Sequence, residues 1–143
     1  MKYFVQILLL LFLCSCSIGP RPLLGGEDVC DFCKMPVADE KFGGEIITVK
    51  GKLYKFDDMG CMIHFMKNGL SVNETINKIF PINYVNCRKF IDVNQSVFLV
   101  SANFRTPMNS NIAAFESQQE ASPFLKNFPG EILTWDQLQQ KTK

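Results

Sequence analysis

The chain has 143 residues, with 15 basic and 14 acidic side chains and a single histidine. Because a nucleic-acid-binding surface needs clustered basic residues, this near-neutral balance argues against a nucleic-acid partner. The chain also lacks a glycine-rich phosphate loop and a recognisable nucleophile, base and acid set, so we do not predict an enzyme.

The N-terminus has the organisation of a secretory signal. Lys2 precedes an uncharged, mostly apolar run over residues 3–13, which is shorter than the roughly 20 residues needed to span a bilayer but typical of a signal-peptide core. The sequence that follows, Leu13-Cys14-Ser15-Cys16, resembles a lipobox. We therefore predict a signal peptide over residues 1–15 and a lipid on Cys16. The mature protein would be extracytoplasmic and membrane-anchored, on the periplasmic face if the source is Gram-negative.

The mature chain has room for one domain after a short linker. Residues 16–29 contain the Pro and Gly content of a flexible tether. Residues 30–143 have the length of one domain, and 13 Phe, one Trp and three Tyr in the chain can supply its core. Loss of Lys2 with the signal leaves equal numbers of acidic and basic side chains.

The first half of the domain reads as a hairpin followed by a helix. Alternation of apolar and polar residues predicts strands over 45–49 and 52–56, joined by a turn at Lys50 and Gly51. Asp57 or Asp58 can cap a helix over 59–68, and Gly69 can end it. The apolar residues of that helix recur every three or four positions, which favours core packing; they are Met59, Met62, Ile63 and Met66.

The second half predicts a looser version of the same order. Strands are expected over 84–91 and 96–104, and a helix within 117–128. Ser117 opens a capping-box pattern, but Pro123 requires either a kink or a later start with Ser122 as the cap. A short strand from Glu131 leads into a final helical turn. The predicted fold is α+β, with two successive strand-strand-helix modules (about 30–80 and 81–140) in one small domain.

Four cysteines remain in the mature domain, and the residues alone leave their role open. Cys30, Cys33, Cys61 and Cys87 could form disulfides in an extracytoplasmic compartment, a structural zinc site, or a thioredoxin-type redox pair at the Cys-x-x-Cys. No apolar strand precedes that motif, which argues against the redox pair. Met35 follows the motif closely, so it is also a compact cluster of the soft ligands that select Cu(I).

Three separated segments occur in an order that resembles the NosL family of lipid-anchored copper chaperones, which is associated with maturation of nitrous oxide reductase. They are Cys30-Asp31-Phe32-Cys33-Lys34-Met35, Phe56-Asp57-Asp58-Met59-Gly60-Cys61-Met62 and Thr106-Pro107-Met108-Asn109-Ser110-Asn111-Ile112-Ala113-Ala114-Phe115. The resemblance runs from about Cys30 to Leu138 and includes the ending Gly130-Glu131-Ile132-Leu133-Thr134-Trp135.

This resemblance implies one Cu(I) site built from sulfur ligands. Cys33, Met35 and Met108 match the family's metal-binding positions. Cys30 matches the first cysteine of the fuller motif, and we predict that it assists them. The implied partner is apo nitrous oxide reductase or another extracytoplasmic cuproprotein. We predict that the helix over 59–68 supports the site without supplying its main ligand, with Cys61 and His64 as possible secondary ligands.

Overall fold

The structure is a computed structural model that describes residues 19–142. The predicted signal peptide over residues 1–15 and the predicted lipid-bearing Cys16 lie outside the described residues. Within residues 19–142, none of the helices has the length and apolar character that a membrane span requires.

The first module is a three-stranded antiparallel sheet with its first strand in the centre. Strand β1 (Gly44–Thr48) pairs with β2 (Leu53–Phe56) on one side and with β3 (Ile76–Pro81) on the other. The turn between β1 and β2 contains Gly51, whose positive φ of 79° suits a residue without a Cβ. Helix α1 (Met59–Asn68) connects β2 to β3.

Helix α1 has the bounds that the sequence predicts because both ends carry local signals. The Asp58 side chain accepts the Gly60 N–H, and the Gly69 N–H donates to the Phe65 carbonyl. Three of the four predicted core residues of the helix are buried and the fourth, Met66, is half-buried against the core. The prediction that this apolar face packs in the core is confirmed.

The second module repeats the strand order of the first. In residues 19–142 the remaining strands form a second antiparallel sheet in the order β5-β4-β6, again with the first strand central. Its elements are β4 (Val97–Val100), β5 (Ile112–Phe115), α2 (Gln118–Ala121), β6 (Glu131–Thr134) and α3 (Trp135–Lys141). The predicted α+β fold with two successive strand-strand-helix modules is confirmed, and each module has an additional third strand.

The strand predicted over 84–91 is wrong. The Asn83 side-chain carbonyl accepts the N–H groups of Val85 and Asn86, which turns the chain away from an extended path. Among the described residues, the β pairing of this region is limited to isolated bridges, between Ile82 and Phe90 and between Asn83 and Ala114. Within the second sheet, β4 pairs instead with β5 and β6, and the sequence did not predict β5 as a strand. It also did not predict β3, which pairs with β1 in the first sheet.

The helix predicted within 117–128 is divided at Pro123. Ser117 caps α2, as its capping-box pattern indicates, and α2 ends at Ala121. A 3-10 helix over Ser122–Lys126 follows, with Pro123 in its first turn, where the missing N–H has no cost. The final strand and helix form as predicted, and Thr134 and Gln137 form a capping box at the start of α3.

The two modules share one hydrophobic core. Phe98 of β4 is fully buried and packs in the same cluster as Ile46 of β1 and Phe56 of β2. Its ring lies 5.5 Å from that of Trp135, at the start of α3. A smaller cluster around Phe115 lies on the other face of the second sheet.

Part of the predicted tether (16–29) is packed on the domain. Leu23 is 6% exposed, and the Gly26 N–H donates to the Val37 carbonyl at 2.9 Å. The Arg21 N–H donates to the Glu45 carboxyl at 2.8 Å. The ordered domain therefore begins before Cys30.

Glu45 of β1 is a fully buried acidic side chain beneath this segment. One carboxyl oxygen accepts the Arg21 N–H, and among the described residues the other has no hydrogen-bond partner. Burial raises the pKa of Glu45 to about 7 from its ordinary value of 4.5, although the Arg21 N–H and the charge of Lys55 act in the opposite direction.

We expect Glu45 to make the apo domain less stable as the pH rises. The folded state retains the proton that the unfolded state releases near pH 4.5, so stability falls between pH 4.5 and about 7. The loss is at most about 3 kcal/mol. Glu45→Gln should make the fall in stability between pH 5 and pH 8 smaller than in wild type, as measured by urea unfolding at the two pH values. Glu27→Gln, at an exposed position, is the control, and equal slopes in wild type and Glu45→Gln would contradict the prediction.

Candidate metal centre

The Cys-x-x-Cys-x-Met motif forms a tight loop closed by its own backbone. The Cys30 N–H donates to the Met35 carbonyl at 2.9 Å, and the Lys34 N–H donates to the Cys30 carbonyl at 3.0 Å. Lys34 has a positive φ of 64°, which reverses the chain after Cys33. The Asp31 N–H donates to the Lys55 carbonyl of β2 at 2.8 Å. The loop is thereby fixed to the sheet, with Cys30 buried and Cys33 half-buried.

Helix α1 brings a third cysteine to this loop. Cys61, in the first turn of α1, is 2% exposed, and Asp57, just before the helix, is also 2% exposed. One ligand atom from each of Cys30, Cys33, Asp57 and Cys61 lies within 4.8 Å of the other three. The Cys33 Sγ is 3.8 Å from an Asp57 carboxyl oxygen. We call these four residues the thiol cluster.

Among the three cysteines of the thiol cluster, Cys30 is the one whose thiolate is favoured. The Cys61 thiol, as hydrogen-bond donor, together with the backbone N–H groups of Asp57 and Cys33, overcomes burial and lowers the pKa of Cys30 to about 4. The same hydrogen bond, with burial, raises the pKa of Cys61 well above its ordinary value. Burial is the main cause that raises the pKa of Cys33. Burial and the Cys30 thiolate raise the pKa of Asp57 to about 6.

Met108 is the second module's candidate sulfur ligand. It lies in the loop between β4 and β5 and is 44% exposed. Met108 and Cys61 line the same cavity, of about 380 Å³. Phe32 and His64 also line it, and their rings stack with centroids 5.7 Å apart. Met35, at the end of the cysteine loop, is 54% exposed.

The structure thus groups the residues singled out in the sequence differently from the prediction. Cys30 and Cys33 lie together as expected, and Cys61, predicted as secondary, is in contact range of both. Met108 and His64 share a cavity with Cys61. The sequence did not predict Asp57 as a member of the cluster. The sequence did contain a signal for it. Only one of the two adjacent aspartates can cap α1, so the other was available for a different role.

Cys87 lies outside the thiol cluster and is exposed. It lines a different cavity, beside Pro22 and Leu23 of the N-terminal segment. A four-cysteine zinc site is therefore not formed by this fold. All four cysteines of the described domain are free thiols, and the Cys-x-x-Cys lies in a turn instead of opening a helix as thioredoxin-type motifs do.

The donor set of the thiol cluster fits a soft metal ion. Thiolates that bind a metal at about 2.3 Å lie up to about 4.6 Å apart, so sulfurs within 4.8 Å need little movement to share an ion. Cysteine thiolates and methionine thioethers are the ligands that suit Cu(I), and Met108 shares a cavity with Cys61 of the cluster. A carboxylate is a hard donor, which makes Asp57 better suited to a neighbour of the ion than to a main ligand.

Two comparisons with known proteins find a match, one to a family and one to a solved structure. The model of the NosL family matches residues 23–142. The crystal structure of the copper chaperone NosL from Shewanella denitrificans is similar in fold, with a TM-score of 0.69 and 17% sequence identity, over 84% of this chain and 95% of that chain. Comparison with curated proteins finds no match.

Proposed function

The chain belongs to the NosL family, and from this premise we propose that it is an extracytoplasmic, lipid-anchored protein that binds Cu(I) and delivers it to apo nitrous oxide reductase. The observation that carries the metal-binding part is the convergence of Cys30, Cys33 and Cys61 within 4.8 Å. Another extracytoplasmic cuproprotein would be an equivalent acceptor, because delivery requires only a stronger soft-ligand site.

The thiol cluster is suited to holding the ion, and the two exposed methionines are suited to its transfer. Cys30 and Cys61 are buried, whereas Met35 and Met108 are each about half exposed. A partner's ligands can therefore reach the ion from the methionine side without displacing the buried thiols first. Thioethers bind Cu(I) but are poor ligands for zinc, so these methionines also select the cargo.

Anchoring on Cys16 would keep the site close to the membrane. Arg21 is already held by Glu45, so only four residues lie between the predicted lipid and the ordered domain. A chain of that length spans at most about 18 Å. Mass spectrometry of the membrane fraction should find the lipid on Cys16, and Cys16→Ala should release the protein.

We expect the reduced protein to bind one Cu(I) more tightly than zinc and to transfer it to apo nitrous oxide reductase. Met35→Leu should weaken Cu(I) binding by about tenfold, since it removes a thioether with little change in volume. Affinities would be measured anaerobically against a Cu(I) chelator. Transfer would be measured as copper recovered on the separated reductase.

Met66→Leu is the matched control for the methionine change. Met66 is half-buried against the core, and it does not line the cavity that Met108 shares with Cys61. Its replacement should leave Cu(I) affinity unchanged. Tighter binding of zinc than of Cu(I) would reject the copper function, whereas a tenfold loss in Met66→Leu as well would attribute the Met35 effect to packing.

A further inference from the structure

Two adjacent aspartates precede α1, and they face different parts of the molecule. Asp57 belongs to the thiol cluster. Asp58 is fully buried, and one of its carboxyl oxygens accepts the Gly60 N–H at 2.6 Å, which caps α1. Its other oxygen accepts the Met108 N–H at 3.0 Å. One carboxylate therefore joins the start of the helix that carries Cys61 to the backbone of Met108.

The loop that carries Met108 is already formed, so the bond to Asp58 positions it as a unit. The Asn109 N–H donates to the Thr106 carbonyl at 3.2 Å, and the Asn111 N–H donates to the Thr106 hydroxyl at 3.1 Å. Asn109 and Asn111 have positive φ values of 56° and 61°, in the region that Asn tolerates best among residues with a Cβ. These hydrogen bonds and backbone angles restrict the conformation of the loop around Met108.

The loop lies directly against the start of α1. A Cβ on Gly60 would be 2.8 Å from the Ser110 Cβ and 3.0 Å from an Asp58 carboxyl oxygen. Contacts that short force a rearrangement, so the approach requires glycine at position 60. The close packing of Gly60 on Ser110 and the two hydrogen bonds of Asp58 both hold the Met108 loop against the start of α1.

We propose that Asp58 is a positioning residue for copper binding, which holds the Met108 thioether beside Cys61 by tying the Met108 loop to the N-terminus of α1. This inference rests on the proposed function. A capping role alone requires one carboxyl oxygen, whereas the structure uses both. Because Cys61 and Met108 come from different modules, their separation depends on contacts between the modules, and the Asp58–Met108 hydrogen bond is the one that acts on the Met108 backbone directly.

Asp58→Ser separates the two roles of the side chain. Serine caps helices as well as aspartate does, but it has one oxygen, which the helix uses. Asp58→Asn keeps the side-chain volume and also retains only one acceptor oxygen, so it serves if the serine variant does not fold. We expect both variants to bind Cu(I) about tenfold more weakly than wild type, as does Met108→Leu.

The decisive measurement is the double variant Asp58→Ser with Met108→Leu. If Asp58 acts through Met108, the double variant binds Cu(I) no more weakly than Met108→Leu alone.

A second measurement is X-ray absorption at the copper edge, on protein labelled with selenomethionine. It detects selenium bound to the copper, and a change in protein stability alone does not alter it. Selenium scattering at the copper should fall in Asp58→Ser to the level found in Met108→Leu. Ser117→Ala, which removes the cap of α2, should leave both readouts unchanged.

Each other outcome has a definite meaning. Additive losses in the double variant, or undiminished selenium scattering in Asp58→Ser, would overturn the proposal and leave Asp58 as a helix cap. The proposal would also be overturned if Met108→Leu bound Cu(I) as tightly as wild type, although the thiol cluster would still stand. Failure of the wild type to bind Cu(I) would instead reject the proposed function.

Discussion

Replacing Cys61 by Ser should lower the affinity of the reduced protein for Cu(I) at least about 100-fold, the largest effect that we expect at the metal centre. Cys61 is buried, and its Sγ lies within 4.8 Å of the Sγ atoms of Cys30 and Cys33. The serine oxygen is close in size to sulfur but is a hard donor that binds Cu(I) poorly. The change therefore removes a ligand while the fold is retained.

Cys87→Ser is the matched control, because it makes the same chemical change at an exposed cysteine outside the cluster. Its Cu(I) affinity should equal that of wild type. Both variants would be titrated anaerobically against a chelator, with circular dichroism to confirm folding. If Cys61→Ser bound Cu(I) as well as Cys87→Ser does, α1 would supply no main ligand, as the sequence analysis predicted.

Phe98→Ala should destabilise the whole domain by about 3–5 kcal/mol, the cost of removing a fully buried aromatic ring. Phe98 of β4 packs with Phe56 of the first module and with Trp135 of α3. A domain of this size is stable by about 5–15 kcal/mol, so the change removes a large part of that stability. Urea unfolding at pH 5 would measure it.

Phe98→Leu is the comparison for this change, since leucine fills more of the space and should cost clearly less. Both modules should unfold in a single transition in each variant, because they share the core that Phe98 joins. A loss below about 1 kcal/mol in Phe98→Ala would show that the modules are held together elsewhere.

Much of the first module could be predicted from sequence because its signals are local. Asp58 and Gly69 stand next to the ends of α1 and bond to its terminal backbone groups. Alternating residues predicted the hairpin of β1 and β2 to within one or two residues at each end. Such signals act between residues a few positions apart, so they operate regardless of the rest of the fold.

The second module was harder to predict because its strands depend on distant partners. Strand β5, Ile-Ala-Ala-Phe, contains two alanines of low strand propensity and is a strand because it is buried beside β4. The apolar segment after Asn83 looked extended, but the Asn83 side chain bonds to the following backbone and turns it. Neither outcome follows from residue pattern alone.

By itself the sequence determined that Cys30, Cys33 and Met35 lie close together, because they fall within six consecutive residues. It also determined that α1 follows β2 directly. Only the tertiary structure decided that Cys61 and Asp57 join the two cysteines and that Cys87 does not. The physical reason is that the Asp31 N–H bonds to β2 while α1 packs on the same sheet. The Asp31–Lys55 hydrogen bond joins residues 24 positions apart, and Cys30 and Cys61 are 31 positions apart, so their distance depends on how the core packs.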